Sequence, residues 1–189
     1  MSKKGLRYVA FGKLKADGTY EDGRHLSPAV NFNATANSSD VKDYGDDRVV
    51  ETDKSVTGGT VTVELNNDDD DLYTYLLGHV KGVTGTALDV ITSNVDDVAP
   101  FVGCAAIGQS GSKWVAKIYL KCQFAEPADE NATKEEQVAF NHITLEGDIF
   151  PMENGDWKKR KTFDSYAAAK SYVDSLFNVT EAQGATGQS

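Results

Sequence analysis

A mainly β fold, an antiparallel sandwich or barrel with one flanking α-helix and a second helix near the C-terminus, is what this sequence predicts. Three segments, 60–65, 114–124 and 143–149, alternate apolar and polar residues with period 2. Polar residues at every second position suit antiparallel sheets with one covered face, and not the continuous apolar runs of a doubly wound parallel sheet. Helical periodicity occurs only twice.

Taken in order, residues 6–11 and 29–32 are short strand candidates, and 34–55 reads as a long polar loop with a few hydrophobics at Val41, Tyr44, Val49 and Val50. Val61, Val63 and Leu65 then form one face of a strand. The run Asn66-Asn67-Asp68-Asp69-Asp70-Asp71 places negative charge at the start of a short helix, whose stripe is Leu72, Tyr73, Leu76 and Leu77 and whose stop is Gly78. Residues 87–92 and 101–107 are further strand candidates, and 108–112 reads as a hairpin loop. In 114–124 the spacing sets Trp114, Ala116, Ile118, Leu120, Cys122 and Phe124 on one face, with Val115, Lys117, Tyr119, Lys121 and Gln123 opposite. Ile143, Leu145, Gly147 and Ile149 repeat the pattern. Lys158-Lys159-Arg160-Lys161 reads as a solvated turn, with pairing to an acidic patch on an adjacent subunit as the functional alternative. Phe163, Tyr166, Lys170, Val173 and Phe177 then mark a helix, capped by Asp164 or Ser165, whose stripe must dock on the sheet or on a neighbour. The organisation expected is one β-domain over 1–161, a helix over 162–177 and a flexible tail over 178–189.

At 189 residues and 40 % hydrophobic, the chain has enough apolar material for one real core. A net charge of −10 argues against a protein that grips nucleic acid, since that grip comes from Lys and Arg neutralising phosphates. Cys104 and Cys122 lie in apolar stretches without CxxC spacing and read as buried reduced thiols, a disulfide remaining open if their strands are neighbours. There is no apolar h-region after the N-terminal charges and no stretch of about 20 apolar residues, so synthesis in a cytoplasm and no membrane span are expected.

Few residues point to chemistry. The acidic run lacks the ligand spacing, central Gly and terminal Glu of a calcium loop, and His25, His79 and His142 are scattered without HxxxH spacing. The 108–112 segment has neither nucleophile-elbow nor phosphate-loop spacing. No catalytic residue, cofactor site or metal site is expected.

An ordered series of short patterns carries more information. It runs Asp46-Asp47-Arg48-Val49-Val50-Glu51, Gly58-Gly59-Thr60-Val61-Thr62-Val63-Glu64-Leu65, Leu76-Leu77-Gly78, Phe124-Ala125-Glu126-Pro127-Ala128-Asp129, Thr133-Lys134-Glu135-Glu136 and Leu145-Glu146-Gly147-Asp148-Ile149. The series resembles the major tail proteins of long-tailed bacteriophages, the subunits of the tail tube. The resemblance implies a structural virion protein made in a host bacterial cytoplasm, with a β-sandwich core and a flanking helix. It implies hexameric rings stacked into a hollow tube, other tail proteins as partners, and a lumen through which DNA passes without specific binding. It also makes 34–55 an inter-subunit arm, within which Asp46, Asp47, Arg48, Val49, Val50 and Glu51 match the family pattern. A carbohydrate-binding β-sandwich module is the alternative, for which Trp157 is the free aromatic candidate and Trp114 belongs to an apolar strand face.

Overall fold

The computed structural model describes residues 3–26, 28–45, 48–128 and 142–180. Among these residues ten strands and two α-helices follow one another: β1 (Lys3–Leu14), β2 (Tyr20–Arg24), β3 (Ala29–Gly45), β4 (Arg48–Leu65), α1 (Asp70–Leu76), β5 (Val80–Lys81), β6 (Ile91–Thr92), β7 (Val102–Ser110), β8 (Lys113–Phe124), β9 (Ile143–Ile149), β10 (Lys158–Phe163) and α2 (Tyr166–Phe177). The protein is mainly β. Eight strands make one antiparallel sheet in the order β2-β1-β7-β8-β9-β4-β3, with β10 joined to β8, while β5 and β6 pair separately.

Strand β8 is where the sheet divides. Trp114 to Tyr119 pair with β10, and only Cys122, Gln123 and Phe124 pair with β9. Beyond that fork the sheet curls, so that β3, at the far end of the order, comes back against β1. The curl encloses an inner core: Val9 and Phe11 from β1, Val61, Val63 and Leu65 from β4, and Leu145 and Ile149 from β9 all point inward. Helix α1 plugs this core with Leu72, Tyr75 and Leu76. A second core lies on the other face, where Ala169, Val173 and Phe177 of α2 cover Tyr8, Ala10, Ala105, Ile107, Ala116 and Ile118.

The period-2 reading of β4 and β9 matches the observed faces, but β8 differs from it. Val102 faces Cys122 and Cys104 faces Tyr119, so Leu120 and Lys121 both lie opposite Gly103. This bulge shifts the alternation by one residue and sends every later side chain to the opposite face. Ala116, Ile118 and Leu120 therefore pack under α2, whereas Cys122 and Phe124 belong to the inner core. Tyr119, expected to face water or a neighbour, is buried because the inner core covers that face of β8 as well.

Other differences have local causes. Residues 158–161 form no turn: they are most of β10, which pairs with β8 along its whole length. Residues 34–45 and 48–55 form no loop but continue β3 and β4 as a hairpin. The candidate strand at 87–92 reduces to the end of a short 3-10 turn (Gly85–Ala87) and the two residues of β6. The 108–112 loop tightens to Gly111 and Ser112, because Ser110 already pairs with Lys113. Phe163 ends β10, and α2 begins beyond Ser165, whose hydroxyl accepts from the Ala168 backbone N–H. Its buried stripe runs through Ala169, with Lys170 turned aside to bond Asp174 at 2.7 Å.

Phe177 anchors α2 in a socket made by glycines. A Cβ on Gly12 would stand 2.9 Å from Phe177, and one on Gly103 would stand 2.8 Å from its ring, so only bare backbone on β1 and β7 admits the side chain. Tyr20 meets the ring edge-on at 4.9 Å, and its own hydroxyl donates to the Leu120 carbonyl at 2.7 Å. Asn178, in the left-handed region with φ of 54°, closes the helix.

Candidate functional site: a projecting ribbon and a tethered excursion

Two parts of the molecule stand apart from the cores. The first is the distal half of the β3–β4 hairpin. Pairing between β4 and β9 begins at Gly59, so among the described residues the eight pairs from Ser38–Val56 to Gly45–Arg48 have no third strand beside them. At the usual rise per residue this is a ribbon about 25 Å long. A two-stranded ribbon is marginally stable in water, and both its edges offer unpaired backbone groups. Arg48, Val49, Val50 and Glu51 open β4 inside this ribbon. Asp46 and Asp47 lie outside the described residues, as do Asp129 and Thr133-Lys134-Glu135-Glu136 of the later patterns and residues 181–189 of the tail.

The second is the excursion between α1 and β7. Asp69 caps α1, its carboxylate accepting from the Asp71 N–H, and Gly78 ends the helix with φ of 79°. His79 follows at once. Its Nδ1 lies 2.9 Å from Asp97 Oδ2 and its Nε2 lies 2.7 Å from Glu126 Oε2, with the side chain only 8 % exposed. A carboxylate accepts and never donates when ionised, so a ring held between two of them keeps both protons. Burial disfavours that charge, but the bonds and charges of Asp97 and Glu126 outweigh it and raise the His79 pKa above its ordinary 6.5. The Asn94 N–H and then His79 hold the Asp97 carboxyl below its ordinary value. Tyr73 stacks on the imidazole at 6.4 Å.

This trio ties three segments remote in sequence: the end of α1, the 94–98 turn and the strap after β8. It has no reactive opening, because each imidazole nitrogen is already engaged by a carboxylate. Further ties hold the same excursion. Lys81 bridges Asp70 at 3.1 Å and Asp89 at 3.5 Å, Gln123 Nε2 donates to the Ala99 carbonyl at 2.7 Å, and the Val98 carbonyl sits so close over Gly78 that a Cβ there would be 2.7 Å away.

The remaining sequence candidates have structural partners. Asp70 and Asp71 of the acidic run pair with Lys81 and Arg24. His25 bonds the Val9 carbonyl at 2.6 Å and stacks on Tyr8, and His142 is exposed just before β9. Among the described residues no group of His, Cys, Asp and Glu is arranged to hold a metal ion. Trp114 packs against Tyr166 with Arg7 over its ring, and Trp157 is half-buried beneath Lys158, so neither indole offers a bare platform. Both cysteines are buried free thiols on neighbouring strands; burial and the nearby Cys122 push Cys104 well up, and burial pushes Cys122 up to about 12. A cleft of about 1100 Å³ lies at the edge of the sheet between Leu14, Asp17, Tyr20, Met152 and Leu176, with none of the histidines in it.

Sequence reasoning found the ribbon as a long polar segment and missed the trio, since no local spacing links positions 79, 97 and 126. Among the described residues no helix is long and apolar enough to cross a membrane. No known protein family matches this chain, and no curated protein is significantly similar to it in sequence.

Proposed function

We propose that this chain is a structural subunit that assembles with copies of itself into stacked rings, the tube of a long-tailed phage, located in the virion tail and conducting DNA at ejection. The observation that carries this reading is the β3–β4 ribbon. Eight pairs of strand extend beyond the last supporting neighbour, with polar residues predominating. A monomer gains little from ordering such an arm, whereas an assembly gains strand edges and surface from it.

The open edges of the sheet support the same reading. Among the described residues, strand β10 pairs only with β8, and β3 ladders only with β4. A contact repeated by rotation closes a ring, and one repeated along an axis extends a filament, so two such contacts per subunit suffice for stacked rings. If six copies meet, 6 × −10 gives a formal −60 per ring, which leaves DNA mobile inside and not bound.

The test is to replace residues 38–56 by a two-residue turn. The core is expected to stay folded, since β4 pairs with β9 only from Gly59 onward. Rings or tubes seen by electron microscopy for the parent chain are expected to be lost or unable to stack. Normal tubes from the shortened chain would rule out the arm.

A further inference from the structure

The excursion between α1 and β7 is unusual in what it exposes. Val80, Val83, Leu88, Val90, Val95 and Val98 all stand in solvent, with Val95 98 % and Val83 78 % exposed. Single exposed aliphatics need no explanation, but six within 19 residues concentrate apolar surface in one excursion, the kind of surface on which partners dock. Nor is this a loose loop. The His79 trio, the Lys81 bridges, the β5–β6 pairing and the bond from Gln123 hold it in place. A surface ordered before contact loses little entropy on docking.

Its charge selects the partner. Between residues 66 and 98, in α1, its approach and the excursion, there are seven aspartates, against Lys81, the clamped His79 and Arg24, which reaches Asp71 from β2. Asp68 and Asp96 are exposed at its margin. Such a rim repels phosphate, so a nucleic acid or an anionic membrane is the wrong occupant. It also repels itself, which disfavours the same patch meeting its own copy across a two-fold axis. A cationic surface with apolar material behind the charges fits.

The described chain carries such a surface on β10. Lys159, Arg160 and Lys161 are exposed on an edge strand that no second neighbour completes among the described residues. Lys158 lies over the Trp157 ring at 5.5 Å, and Lys161 over Tyr172 at 4.4 Å, so aromatic faces and aliphatic stems back the cationic heads.

We propose that the tethered excursion is a docking surface for a second copy of the chain, its valines and acidic rim seated against that copy's basic edge strand β10. The contact is head-to-tail, each subunit giving one surface and receiving the other. It rests on the self-assembly reading above and adds to it the pair of surfaces that meet.

Sedimentation velocity and electron microscopy over a concentration series test it on the full chain. Four variants are compared with the parent: Val95→Asp, Lys159→Glu with Arg160→Glu, Asp68→Lys with Asp96→Lys, and the charge exchange combining the last two. All these positions are exposed, so thermal melts unchanged from the parent serve as the control for folding. The first three are expected to raise the concentration needed for assembly about tenfold or more, the scale of losing one interface anchor. The charge exchange is expected to recover most of that loss. Assembly at the parent's threshold in the first three, or no recovery in the exchange, overturns the docking while leaving tube formation intact. A parent chain that stays monomeric at every concentration overturns both.

Discussion

Phe177 and His79 show how much single side chains decide here. Phe177→Ala empties a socket shaped by Gly12 and Gly103, and the expected loss is about 3–5 kcal/mol in urea unfolding. Gly103→Ala attacks the same fit from the other side, adding a Cβ where the Tyr20 and Phe177 rings already stand, and is expected to lower the melting temperature. For His79 the sign follows from linkage. A raised folded-state pKa means that its contribution is complete below the ordinary 6.5 and is lost as pH climbs through the raised value. Asp97, lowered, contributes fully above 3.8 and loses that contribution as pH falls through its folded value. The stability gap between the parent and His79→Gln is therefore expected to be widest from pH 3.8 to 6.5 and to narrow above, as urea midpoints measured across pH will show. Cys104 and Cys122, buried and held protonated, are expected to resist thiol reagents until denaturant opens the sheet.

Among the elements, those with one covered face were legible in sequence and those without were not. Val61, Val63 and Leu65 alternate because β4 has a core on one side only, and Leu145 and Ile149 repeat this in β9. In β8 both faces are covered, one by α2 and one by the inner core, and a one-residue bulge exchanges them, so strict alternation misassigned Tyr119, Cys122 and Phe124. Strand β10 carries four consecutive basic residues and has no period to read; charge on an open edge is how sheets avoid uncontrolled pairing. Strand β2 offers only Tyr20 as a buried hydrophobic, and the ribbon's sequence is polar with few hydrophobics and no sustained alternation, which is why it resembled a loop. The surfaces proposed for assembly were visible in sequence only as a long polar segment and a run of four basic residues. No local spacing marks the excursion's aliphatics, because the His79–Asp97–Glu126 trio that holds them in place joins positions remote in sequence.

At the scale of the whole molecule, one curled sheet serves two cores, and the ribbon and the excursion stand apart from both. The charge of −10 sets how a multimer treats a polyanion: assembled material is expected to leave duplex DNA unretarded in gel shifts even at low salt, whereas marked retardation would contradict an inert conduit. The anchoring of α2 by its last residue has a mechanical consequence. Cargo fused beyond Thr180 would pull first on the Gly23–Val179 bridge and the Asn178–Tyr20 bond and only then on the plug formed by Phe177, peeling the helix away while the interior around Leu65 and Leu145 stayed shut.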